Sequence, residues 1–170
     1  IAFAGVVLVA YGCLAWVLLA QPVLADRVLG TLSAFADLQE SALLARRLEL
    51  STLDGSYQLI GDRETAFIVS GFATSAAFQP VRDVMIRGRL LGADDLVLAE
   101  KEIYCGAATT PAVLGDLNTR EITVLQRSQP PPRFAINPGA AASFVIVFID
   151  PPDGVERFAA EVVAASPLAR

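Results

Sequence analysis

The chain has 170 residues, of which 54% are hydrophobic and only 18% charged, with a net charge of −5 and no histidine. Without histidine the chain lacks the commonest general base near neutral pH, and Ser-His-Asp and Cys-His catalysis are excluded. Two cysteines cannot build a structural zinc site, and an acidic balance disfavours nucleic acid, which needs clustered positive charge.

The apolar excess is concentrated at the start. Residues 1–25 carry no charge, and IAFAGVVLVAYGCLAWVLLA (1–20) is long enough as a helix to cross a hydrocarbon core of roughly 30 Å. Gln21-Pro22 marks its exit, so a transmembrane helix is expected over 1–22. Tyr11 and Trp16 are its candidate contacts with a neighbour or the interface. The rival reading is a cleaved signal peptide, because Val23-Leu24-Ala25 resembles a small-residue cleavage site.

Residues 23–47 read as an amphipathic helical connector. Leu24, Val28, Leu32, Phe35, Leu38 and Ala42 recur at helical spacing, and Phe35 is a candidate contact on that stripe. Its mixed polar face favours packing on protein over lying in the headgroup plane.

From Leu48 the period becomes extended. Leu48–Leu53 and Tyr57–Ile60 flank a turn signal at Asp54-Gly55, and Ala66–Phe72 is a strand. Val81–Leu91 alternates, with Val84, Ile86 and Leu90 on one face and Met85, Arg87 and Arg89 on the other. Gly92–Asp95 turns it into Leu96–Tyr104. Ser143–Ile149 is apolar on both faces and reads as a central strand. Pro151-Pro152-Asp153-Gly154 then forms a hairpin turn into Arg157–Ala164.

A helical insertion, 107–133, interrupts the strands. Thr110–Leu117 and Asn118–Gln126 are expected as short helices, the second opened by a capping box of Asn118 and Glu121. Gln129–Pro132 is a stiff connection. Leu117, Ile122, Leu125 and Pro131 are its candidate interaction residues; the alternative is that the insertion covers an open end of the fold. The fold class is thus mainly β: an immunoglobulin-like antiparallel sandwich over 48–170 with this insertion, behind one transmembrane and one amphipathic helix.

The polar clusters read as structure. Asp94-Asp95 and Asp150/Asp153 fit turns, and Glu100 and Glu102 share one solvated strand face with Lys101 opposite. Cys105 is either a buried small hydrophobe or an intermolecular disulfide partner. No catalytic, cofactor-binding or metal residue is expected.

From Tyr104 onward the run EIYCGAATTPAVLGDLNTREITVLQ, then INPGAAASFVIVFIDPP, then FAAEVVAAS resembles the C-terminal domain of a bacterial envelope family of unknown function. Its members join an N-terminal zinc ribbon, one transmembrane helix and an extracytoplasmic β-sandwich. The matching positions are Tyr104, Gly106, Pro138, Gly139, Phe144 and Phe148, with Ile68–Phe72 upstream. Ala73-Thr74 and Ala107 depart from positions where the family often carries asparagine. The resemblance implies a single-pass protein of the bacterial inner membrane with its C-terminal domain on the periplasmic side; any zinc ribbon would precede Ile1.

The expected function is a membrane-anchored, non-catalytic scaffold. It would use no cofactor and no nucleic acid, and its partners would be membrane lipid and envelope proteins met by a sheet edge or by the insertion. The alternatives are a structural accessory subunit of a large integral membrane complex and a small-ligand-binding envelope domain.

Overall fold

The computed structural model describes residues 39–61, 63–106, 111–131 and 134–168. The expected span 1–22, most of the connector, and Tyr11, Trp16 and Phe35 lie outside these residues. Among the described residues no helix is long and apolar enough to cross a membrane.

Among the described residues the alternating runs form six strands: β1 (Leu48–Leu59), β2 (Thr65–Ser75), β3 (Val81–Leu91), β4 (Val97–Tyr104), β5 (Ala141–Ile149) and β6 (Arg157–Pro167). They make two antiparallel three-stranded sheets, ordered β1-β2-β5 and β4-β3-β6. Phe67, Val69 and Ala73 of β2 and Phe144, Ile146 and Phe148 of β5 share one core with Val84, Ile86, Leu90 and Ile103 of the second sheet. The two sheets therefore pack face to face.

The other parity of the first sheet is also buried. Ala66, Ile68 and Val147 join Ile60, Leu114 and Ile122 in a second cluster. The last two come from the insertion, whose helices are α1 (Pro111–Leu114) and α2 (Thr119–Arg127). The insertion covers the outer face of the first sheet, and not an open end. Asn118 opens α2 as expected: its Oδ1 accepts from Glu121 N (2.9 Å), while its own N–H donates to Glu121 Oε2 (2.9 Å). Gly61 N donates to Leu117 O (3.1 Å), fixing the junction of α1 and α2 to the turn between β1 and β2.

Three expectations are corrected. Asp54-Gly55 is no turn: β1 runs through it, and the irregularity is a bulge at Thr52 (φ 53°), where pairing jumps from Ser51–Phe72 to Asp54–Ser70. Before the bulge Leu48 and Leu50 face inward; after it Leu53, Gly55, Tyr57 and Leu59 do. Gly55 marks a close approach, since a Cβ there would sit 2.5 Å from the ring of Phe158.

The strand at Ser143–Ile149 is an edge strand of its sheet, not a central one. It is apolar on both faces because a sheet covers one and the insertion the other. The segment Asp150–Gly154 closes no hairpin, because β5 and β6 belong to different sheets. The described end of the connector is helical over 39–45. There Ala42 is exposed, while Ala45 is buried and Leu44 packs on the core.

The alternation in β3 and the turn after it stand as read. Gly92 N donates to Leu96 O (2.9 Å), and Asp94 and Asp95 take left-handed conformations (φ 56° and 61°) in a short 3-10 turn at Ala93–Asp95.

Ile122 is fully buried beneath α2 whereas Val124 is exposed. Ile122→Ala is expected to cost about 2–5 kcal/mol in denaturant unfolding, and Val124→Ala to change stability by less than about 0.5 kcal/mol.

Candidate interaction surface

The inventory of reactive groups is short. Among the described residues no group of three or more His, Cys, Asp or Glu could hold a metal ion. The Cys105 thiol is buried, with its Sγ 3.6 Å from Ser143 O and 3.8 Å from Ala142 O. Burial pushes it up to about 12, opposed by a hydrogen bond from the Gly106 backbone. It is therefore a neutral thiol near pH 7, without nucleophilic character. The crevice under α2, lined by Ile103, Tyr104, Leu125, Gln126 and Val145 among others, holds about 10 Å³, at most room for one water.

The outer face of the second sheet carries charge in a ladder across its three strands. Arg87 meets Glu102 (2.6 Å) and Arg89 meets both Glu100 (2.8 Å) and Glu161 (2.7 Å). The hydrogen bond with Glu102, more than the other carboxylates, holds the Arg87 guanidinium above its ordinary value. These groups are partly exposed and satisfy one another, so the face is a solvated ladder of small energetic weight. Glu100 and Glu102 lie on it together, with Lys101 on the opposite face, as the alternation predicts.

The four edge strands meet in two seams, and these differ. At the β4–β5 seam Lys101 Nζ donates to Val147 O (2.8 Å) and Gln126 Nε2 to Val145 O (3.2 Å). Burial first, and then Arg127, push the Lys101 ammonium below its ordinary value. Two side chains thus occupy carbonyls of β5 that another strand would need.

The β1–β6 seam is only partly closed. Phe158 lies over Gly55 and packs on Phe67 at 5.8 Å between ring centroids, and Tyr57 meets Phe67 edge-on at 4.8 Å. Toward its end β6 is capped by the helical segment, with Ala165 N donating to Ser41 Oγ (3.3 Å). Beyond that the second sheet stops at β6, while β1 carries inward-facing Leu53, Tyr57 and Leu59 past its edge. Tyr57 is 56% exposed and Leu59 68%. An apolar row of core parity thus lies beside a strand edge that, among the described residues, borders no further strand.

Of the residues expected to bind a partner, Ile122 is core and Leu117 half-buried, whereas Leu125 and Pro131 are exposed. Leu117, Leu125 and Val124 line a shallow hollow with Arg120 and Glu121. The sequence reading missed Leu53, Tyr57 and Leu59 as one row, because it broke the strand at Asp54-Gly55. No family model, curated protein or solved structure matches this chain.

The thiol makes a direct check. Cys105 of the folded domain is expected to resist alkylation at pH 8 and to react fully in denaturant, read by mass spectrometry. Because burial raises its value from the 9.0 of a free thiol to about 12, the unfolded chain loses this proton first. Stability should accordingly fall as pH rises from about 9 toward 12.

Proposed function

We propose that the protein is a membrane-anchored, non-catalytic module that binds a partner protein through its extracytoplasmic domain, by strand addition at the β1–β6 seam. The observation that carries this reading is the exposed row Leu53, Tyr57 and Leu59 beside the edge of β6, which no further strand borders among the described residues. An added strand satisfies edge N–H and C=O groups while its alternate side chains cover the row. The contrast between the seams supports it, since Lys101 and Gln126 plug one and leave the other accessible.

The immunoglobulin-like assignment belongs to the same proposal. Strands one, two and five share a sheet, and strands three and six share the other, as strands A, B, E and C, F do in such sandwiches; the fourth strand here pairs with the third instead of joining the first sheet. In that scheme the next strand lies beside β6. The family resemblance, the inner-membrane location and the periplasmic side of the domain remain proposals, supported by the uncharged run 1–20 and the motifs from Tyr104 onward. An accessory subunit of a larger membrane complex is one form of the same reading, with the partner permanently bound.

A photo-crosslinking residue at Leu59, in the full chain in its native membrane, is expected to give one discrete protein adduct. The same residue at Glu102, on the charged ladder, is expected to give none. Tyr57→Lys should abolish the Leu59 adduct. Equal labelling at both positions, or none at Leu59, contradicts strand addition at this seam.

A further inference from the structure

We infer that the end of the domain built from the helical segment 39–45 and the loop between β2 and β3 is a lipid-contacting base, with Phe78, Leu43 and Arg47 at the headgroups of the bilayer. This rests on the reading of residues 1–20 as a membrane anchor.

Phe78 is 89% exposed and Leu43 63%, the first on the 76–80 loop and the second on the helical segment. They line one open groove of about 480 Å³ with Leu44, Arg47 and Ala77, and with Glu40 at its rim. Ala76 N donates to Arg47 O (2.8 Å), which ties the loop to the segment. The Arg47 guanidinium lies 5.1 Å from the centroid of the Phe78 ring. A ring left in water gains little from such exposure, but an aromatic capped by a cation suits a boundary where one side is apolar and the other is charged.

The place of this patch in the fold identifies the occupant. β1 starts here at Leu48, β2 ends at Ser75, β3 starts at Val81 and β6 ends at Pro167. In sequence, the chain that precedes residue 40 leads back to the uncharged run 1–20, which the reading above puts in the bilayer. Arg46 and Arg47 are both exposed and supply the positive charge that anionic headgroups attract. The opposite end carries Asp94, Asp95, Asp150 and Asp153 in its turns, with Asp95 paired to Arg157, a balance that does not attract anionic lipid.

The chain has one tryptophan, Trp16, inside the run, and this permits a two-part test. The full chain is reconstituted in phosphatidylcholine–phosphatidylglycerol vesicles whose acyl chains are brominated near the glycerol end or near the methyl end. Trp16 of the unaltered chain reports the anchor alone. Phe78→Trp in a Trp16→Phe background reports the base, and Asp153→Trp in the same background reports the far end.

For the Phe78→Trp variant the inference predicts blue-shifted emission, strong quenching by shallow bromines and weaker quenching by deep ones. The Asp153→Trp variant should show no quenching. Added Arg46→Glu and Arg47→Glu substitutions should reduce the shallow quenching at position 78, and in the unaltered background they should leave the Trp16 signal unmoved. If Trp16 is quenched while the indole at position 78 is as unquenched and red-shifted as the one at position 153, the base is overturned and the anchor stands. Blue-shifted but unquenched emission from position 78 means that a second copy or a protein covers the patch, and also overturns it. Unquenched Trp16 removes the anchor reading, and the base with it.

Discussion

The double burial of the β2–β5 pair is the constraint on which the rest of the structure depends. Alternate residues of these two neighbouring strands enter two different cores: Phe67, Val69, Phe144 and Ile146 face the second sheet, while Ala66, Ile68 and Val147 face the insertion. A strand apolar on both faces cannot be left with either one in water, since each fully buried side chain of this size contributes about 1.5–3 kcal/mol relative to exposure. The insertion is therefore structurally required, and Ile122 and Leu114 are its attachment. That assignment separates the inward side of the insertion, which holds the fold, from Val113, Val124 and Leu125, which remain outside.

The same constraint settles how the sheet edges are handled. With the insertion laid over the first sheet, α2 comes beside β5, and Gln126 reaches the Val145 carbonyl while Lys101 crosses from β4 to the Val147 carbonyl. A cation with so much of its surface buried is tolerated because it donates to a backbone acceptor. No comparable device occupies the middle of β6 among the described residues; only Ser41 meets it, at Ala165. Edge strands left open in native proteins are either a hazard or a use.

Much of this was legible in the amino-acid order, and the failures have physical causes. The two faces of β3 could be read directly because unbroken alternation from Val84 to Leu91 is a strong signal. The capping box at Asn118 was equally direct. The Asp54-Gly55 turn was misread because the dipeptide that favours a turn also suits a strand position where an aromatic ring leaves no space for a Cβ. The bulge at Thr52 sets Leu48 and Leu50 on the opposite parity from Leu53, Tyr57 and Leu59, and a turn read at Asp54-Gly55 divides that later row. Ser143–Ile149 looked central because periodicity reports how many faces are covered, not what covers them. Phe78 carried no signal at all: an isolated aromatic in a loop is ordinary, and only its neighbours Arg47 and Leu43 distinguish it.

Hydrogen exchange of the backbone amides of β6, residues 157–163, compared between the full chain in its native membrane and the purified chain in detergent, tests strand addition most directly. The proposed seam predicts marked protection of the outward-facing amides of this stretch in the membrane and its loss on purification, with β2 and β5 equally protected in both. Identical exchange in β6 under the two conditions would contradict it.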